Sequence, residues 1–197
     1  KAMHSSDGKS TFRLIARFYI GIVCIGILTL SMLIEQIVTI MSTASFYSAA
    51  DIALILVWPP LFYGFYMLVS AGLWKNKKTN LMFYIFLTAA FINLGFNQLL
   101  VPSYAGTGAA IATLISFIFL ILLSLYFGEK NWNVGFKLRI YCTQISICVL
   151  SLINNFYLQI IPWYLNYPST ILILGLVTIN NEERTLIFNF LKGRLRG

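Results

Sequence analysis

Six long apolar runs divide this chain, and all 14 of its lysines and arginines lie before the first run, after the last, or in every second gap between them. The runs cover residues 18–40, 52–74, 80–101, 106–127, 140–161 and 163–180. A helix rising about 1.5 Å per residue needs about 20 residues to cross the roughly 30 Å hydrocarbon layer. The first five runs meet that length; the sixth is shorter and is expected to be broken by Pro168. With six crossings the gaps alternate between two sides. One side receives Lys1, Lys9, Arg13 and Arg17, then Lys75, Lys77 and Lys78, then Lys130, Lys137 and Arg139, and finally Arg184, Lys192, Arg194 and Arg196. The other side receives 41–51, 102–105 and the turn near 162, which hold no lysine or arginine. Positive charge concentrates in cytoplasmic loops, so the first side is read as cytoplasmic. A re-entrant hairpin over 140–180 would leave the same charge pattern, but 140–161 is long enough to cross alone, which favours two spans. The expected fold is all-α and integral to the membrane: six transmembrane helices in one domain over 1–197, both ends cytoplasmic, with no soluble domain.

Composition agrees. Hydrophobic residues make up 59% of the chain and charged residues 10%, against roughly 25% charged in a soluble domain. Cys24, Cys142 and Cys148 lie inside apolar runs and are expected to be buried small hydrophobes. Spaced by six residues, Cys142 and Cys148 fall far apart around a helix, so no bridge is expected. The one histidine, His4, lies outside the runs, so no metal site of His and Cys is expected. No cofactor and no nucleic-acid partner are expected either. The opening Lys1-Ala2-Met3-His4 carries no cleavable signal pattern, and the chain reads as a piece of a longer protein. Residues 182–197 place Leu186, Ile187, Phe190 and Leu191 roughly on one side, followed by Lys192, Arg194 and Arg196. That pattern predicts a cytoplasmic amphipathic helix on an anionic leaflet.

The stretch from Asn93 to Thr113 interrupts the apolar monotony. Asn93 and Asn97, four apart, project from one helix face. In lipid, amides need hydrogen bonds or water. After Pro102 come Gly106, Gly108, Ala109, Ala110 and Ala112. The pairs Gly106/Ala110, Gly108/Ala112 and Ala109/Thr113 repeat at the spacing that lets helix backbones approach closely. With a turn near Tyr104, Thr113 returns to within about a helical turn of Asn97 in depth. The stretch predicts a tight helical hairpin with one polar inner face.

These residues also carry a resemblance. The pattern of Asn93, Asn97, Pro102 and Tyr104, followed by "GTGAAIATLIS", resembles the C-terminal half of bacterial polysaccharide exporters, as do "FYSAADIALIL" and "SAGLWKNKKTN" upstream. The family is the Wzx-type O-antigen flippases of the multidrug/oligosaccharidyl-lipid/polysaccharide superfamily. The likeness covers roughly residues 10–130; beyond 131 it rests on hydropathy. Ala105 departs from it, standing where a glycine commonly follows the tyrosine. The resemblance implies a MATE-like architecture of two six-helix bundles around a central cavity, with these six spans belonging to the C-terminal part. It implies an inner-membrane protein that moves undecaprenyl-diphosphate-linked oligosaccharide units to the periplasmic leaflet without covalent chemistry. Its partners would be that lipid-linked oligosaccharide, membrane lipids, and a polysaccharide polymerase and chain-length regulator.

Each candidate residue has a functional and a structural reading. Asn93 and Asn97 would bind sugar hydroxyls, or hydrogen-bond between helices. Arg13, Arg17 and Lys75 would meet the diphosphate of the lipid carrier, or set topology against anionic headgroups. Glu35 is the one acid within a span and a coupling-ion candidate. It lies 18 residues beyond Arg17, about 27 Å up the helix, where an interfacial carboxylate is the simpler reading. Gly106, Gly108, Ala109, Ala110, Ala112 and Thr113 form a packing seam. Pro59-Pro60 would kink the second span. Two other functions compete with the flippase: a drug or cation antiporter of the same superfamily, and a membrane-embedded polymerase or acyltransferase. The latter needs catalytic side chains on a sizeable extramembrane loop, and the outer gaps are short and carry no His, Lys or Arg.

Overall fold

The computed structural model describes residues 8–179, and every regular element among them is helical. The chain divides into two compact units, one ending at Lys137 and one beginning at Leu138.

In the first unit, α1 (Gly8–Met41) is followed by a short 3-10 turn at Ala44–Phe46, then α2 (Ala49–Leu56), α3 (Pro59–Val69), α4 (Ala71–Lys75) and α5 (Thr79–Asn131). Helix α1 buries Ala16, Ile20, Cys24, Ile27 and Leu28 as one stripe while Ile22, Leu33 and Ile40 stay exposed. This is the spacing of a one-sided helix, with an apolar outer face suited to lipid. The run 52–74, read as one span, is broken twice. Pro59 and Pro60 occupy the first two positions of α3, where no intrahelical N–H is needed, and Ser70 interrupts the helix again. After α4, Lys77 adopts φ 53°, while the amides of Lys77 and Lys78 donate back to Trp74 and Leu73. That is the left-handed closure of a helix C-terminus.

Among the described residues, three helical stretches are long and apolar enough to cross a membrane: Gly8–Met41, Ala49–Val69 and Thr79–Asn131. The third is not straight. Ala105, at φ 47° and ψ −127°, leaves the helical region and divides α5 into arms 79–104 and 106–131. Asn93 and Ser116 would stand about 34 Å apart along a straight helix, yet the Asn93 amide lies 3.4 Å from the Ser116 hydroxyl. The chain therefore folds back at Ala105, as the hairpin expectation required.

The second unit pairs α6 (Leu138–Ile153) with α7 (Trp163–Thr178) through a π-helical turn at Asn154–Leu158. Contacts between residues 151 and 170 and between 144 and 178 make the pair antiparallel. Helix α6 has 16 residues, about 24 Å, and passes directly into the π-helical turn, which ends at left-handed Gln159. One expectation is corrected here: α7 runs through Pro168 without breaking. Two more outcomes concern the remaining residues. Cys142, expected to be buried, is exposed, while Cys24 and Cys148 are buried. The tail 182–197 lies outside the described residues.

Candidate functional site

The fold-back of α5 brings the two polar patches of its arms face to face. Asn97 Nδ2 donates to both the backbone oxygen and the side-chain oxygen of Asn93, each at 2.9 Å. Asn93 Nδ2 points across to Ser116 Oγ, which donates 2.7 Å to the carbonyl of Thr113. Thr113 Oγ1 donates back to Ala109. A relay of three side chains, Asn97, Asn93 and Ser116, thus links the arms and ends on the Thr113 carbonyl. At its middle lies a groove of about 380 Å³. Asn93, Thr113 and Ser116 form its polar floor, and Tyr63, Phe86 and Phe117 supply aromatic walls.

The lining residues include no carboxylate, ammonium, imidazole or thiol. Such a groove offers hydrogen-bonding hydroxyls and an amide beside aromatic faces. An amide has two donors and an oxygen with two lone pairs. Asn97 Oδ1 takes no hydrogen bond from a described residue, so the relay keeps acceptor capacity at its end.

The packing seam is present with its centre shifted. Gly108, Ala110 and Ala112 are buried, Ala109 and Thr113 half-buried, and Gly106 exposed. A Cβ on Gly108 would stand 2.5 Å from the Leu100 carbonyl oxygen, so the tight contact is against the first arm just before the turn. Gly106 instead faces the tip of Ile52 on α2. A second glycine contact lacked any obvious spacing signal. Gly72 on α4 and Gly128 at the end of α5 lie backbone to backbone, and a Cβ on either would collide with a carbonyl oxygen, of Gly128 and Val69 respectively.

The basic candidates do not gather at the groove. Arg13 Nη1 donates 2.7 Å to the carbonyl of Val134. Lys75 Nζ stands 4.1 Å from the centre of the Trp132 ring. Arg17, placed by sequence at the membrane boundary, is buried on α1 with 7% exposure. Glu35 is exposed on α1 and does not line the groove. The groove therefore unites Asn93 and Thr113, keeps Asn97 adjacent, and excludes the charged candidates. Sequence reasoning missed Ser116, although it follows Thr113 by three residues on the same face. Tyr63, Phe86 and Phe117 carried no signal, because aromatic residues occur throughout the spans.

The second unit has its own polar seam. Gln144 Nε2 donates to Thr178 Oγ1 at 2.8 Å, Thr170 Oγ1 to Ser151 Oγ at 3.0 Å, and Asn166 Nδ2 to the Ser151 carbonyl at 2.9 Å. Asn154 closes the turn by donating to the carbonyl of Ile161 and accepting from its amide. These groups tie α6 to α7. A comparison with family models, curated proteins and solved structures finds no match to the chain.

Proposed function

We propose that this chain forms part of the helix bundle of a bacterial exporter that moves undecaprenyl-diphosphate-linked oligosaccharide units across the inner membrane by alternating access. In this reading the protein binds and releases its substrate and performs no covalent chemistry. The full six-crossing topology, with both ends cytoplasmic and a MATE-like bundle, belongs to the same proposal.

The observation that carries the reading is the uncharged groove at the hairpin. Asn93, Thr113 and Ser116 can hydrogen-bond sugar hydroxyls, and Tyr63, Phe86 and Phe117 can cover the apolar face of a sugar ring. The residues that build the hairpin are also those that carry the resemblance to polysaccharide exporters. Arg13 and Lys75 have loop partners, which moves the weight of substrate recognition toward the amides.

The test uses a strain lacking the parent protein and any related exporter. Sugar units attached to the lipid carrier should accumulate on the cytoplasmic leaflet, with surface polymer absent. Restoring the parent with Asn93→Ala or Ser116→Ala should return normal abundance and reduced export. Surface polymer persisting in the deletion strain would refute the flippase reading.

A further inference from the structure

The segment joining α5 to α6 closes over the cationic end of the first unit. Val134 is buried at 2% exposure. Phe12 meets the Trp132 ring edge-on at 5.4 Å. Asn76 Nδ2 donates 2.7 Å to the Asn131 carbonyl. Arg13 and Lys75 come to this segment from α1 and α4, and both find neutral partners there: a carbonyl oxygen and an indole face. Glu129, near the end of α5, is engaged elsewhere. Its oxygens accept the amides of Gly135 and Phe136 at 3.1–3.3 Å.

Two cations thus reach the same short segment with most of their donors unused. A guanidinium has five N–H donors and an ammonium three. Arg13 uses one of its nitrogens, and Lys75 makes no hydrogen bond to a described residue. Their anchor points, Trp132 and Val134, are two residues apart, at most about 7 Å along an extended chain. A guanidinium fork and a point-charge ammonium converging on one segment suit the oxygens of a phosphate. A phosphate also offers each cation the opposite charge that its present partner lacks. Because Arg13 has spare donors, it can keep the Val134 carbonyl while it binds. Lys75 has only to move off the indole face.

We infer that Arg13 and Lys75, braced by Trp132 and Val134, form a phosphate-binding site at the cationic end of the first unit. In a chain with long apolar helices, the phosphate at hand is the anionic headgroup of a membrane lipid. The site stands whether or not the chain moves a substrate. Arg17 is outside it, being buried.

Trp132 reports on occupancy, because departure of the ammonium from its ring changes its emission. The full chain carrying Trp58→Phe, Trp74→Phe and Trp163→Phe keeps Trp132 as its sole tryptophan. It is reconstituted in phosphatidylcholine vesicles with increasing phosphatidylglycerol. The emission change should saturate, and Lys75→Gln and Arg13→Gln should each raise the half-saturating fraction by about tenfold or more. Arg13→Lys, which keeps the charge and loses the fork, should fall between; it also covers the case in which Arg13→Gln fails to fold. Millimolar inorganic phosphate added to pure phosphatidylcholine vesicles separates the sources. No response there assigns the site to lipid headgroups; a saturating response assigns it to soluble phosphate. Native mass spectrometry of the chain with all four tryptophans should show phosphatidylglycerol retained, and lost from the Arg13→Gln and Lys75→Gln variants. Unchanged emission with both anions, or an identical lipid response in wild type and both variants, would overturn the inference.

Discussion

Replacing Ala105 with glycine should stabilise the first unit. At φ 47° and ψ −127°, Ala105 has the backbone of the first central residue of a type II′ turn, a position that glycine fills without steric cost. An L-side chain at positive φ crowds its own carbonyl, at about 1–2 kcal/mol. Glycine gives back part of that gain through the extra freedom of its unfolded chain, roughly 0.4–1 kcal/mol. Ala105 is exposed, so deleting its methyl opens no cavity. The net gain is about 1 kcal/mol, which for a chain of 150–250 residues raises the unfolding midpoint by about 2–4 °C.

The assay is thermal unfolding in mild detergent, followed by helical circular dichroism and protease resistance. Ala105→Val should lower the midpoint, because a β-branched residue tolerates positive φ least. Ala109→Gly supplies the opposite sign: it lies inside the second arm, where glycine costs roughly 1 kcal/mol. The reasoning is refuted if Ala105→Gly leaves the midpoint unchanged or lowers it, or if Ala105→Val is harmless. The same position is where the chain departs from the exporter pattern. The backbone gives that departure a conformational consequence.

The glycine contacts make a second prediction. Gly72→Ala and Gly128→Ala push a Cβ into a carbonyl oxygen and should lower stability by about 1–3 kcal/mol in the same unfolding assay. Gly95→Ala meets open space and should be neutral or stabilising by up to about 1 kcal/mol. For the hairpin seam, Gly108→Leu and Ala112→Leu should separate the two arms of α5 and reduce folded yield, measured by detergent extraction and gel filtration. Topology reporters fused after Lys78 and Lys130 should read the same side, and those at Ser45 and Ser103 the opposite one; a shared signal at Lys78 and Ser103 would overturn the span assignment.

The hairpin at Ala105 was legible because its signals are local. Asn93 and Asn97 share a face by spacing, Pro102 and the small residues after it mark the turn region, and hydropathy brackets both arms. The end of α6 was not legible for the converse reason. Apolar residues continue past Ile153 through Phe156, Leu158, Ile160 and Ile161, so hydropathy has no boundary to detect. The boundary comes from the Asn154 amide, which bonds both backbone groups of Ile161 in place of a continuing helix. The partners of Arg13 and Lys75 were not legible because Val134 and Trp132 lie more than fifty residues away in sequence. A charge count assigns such residues a side of the membrane and says nothing about which segment will fold over them.

Amides in these apolar helices are best sorted by how many of their bonds are satisfied within the fold. Asn154 has a partner on both its nitrogen and its oxygen, both supplied by one backbone residue. Such a group is closed, and its value lies in fixing the turn; exposing it to a ligand would mean opening the α6–α7 connection. Asn93 is also engaged on both atoms, but its contact to Ser116 is long at 3.4 Å and sits on the floor of a groove. A long, part-buried hydrogen bond yields readily to a better-placed hydroxyl, because the net worth of such interhelical bonds averages about 0.6 kcal/mol. Asn97 keeps an oxygen beyond the relay. The same residue type therefore serves as a lock in the second unit and as an exchangeable contact in the first. Sequence spacing alone cannot separate the two, since Asn93 and Asn97 and the pair Ser151 and Asn154 all recur at helical intervals; what separates them is whether the opposing segment offers backbone or an open groove.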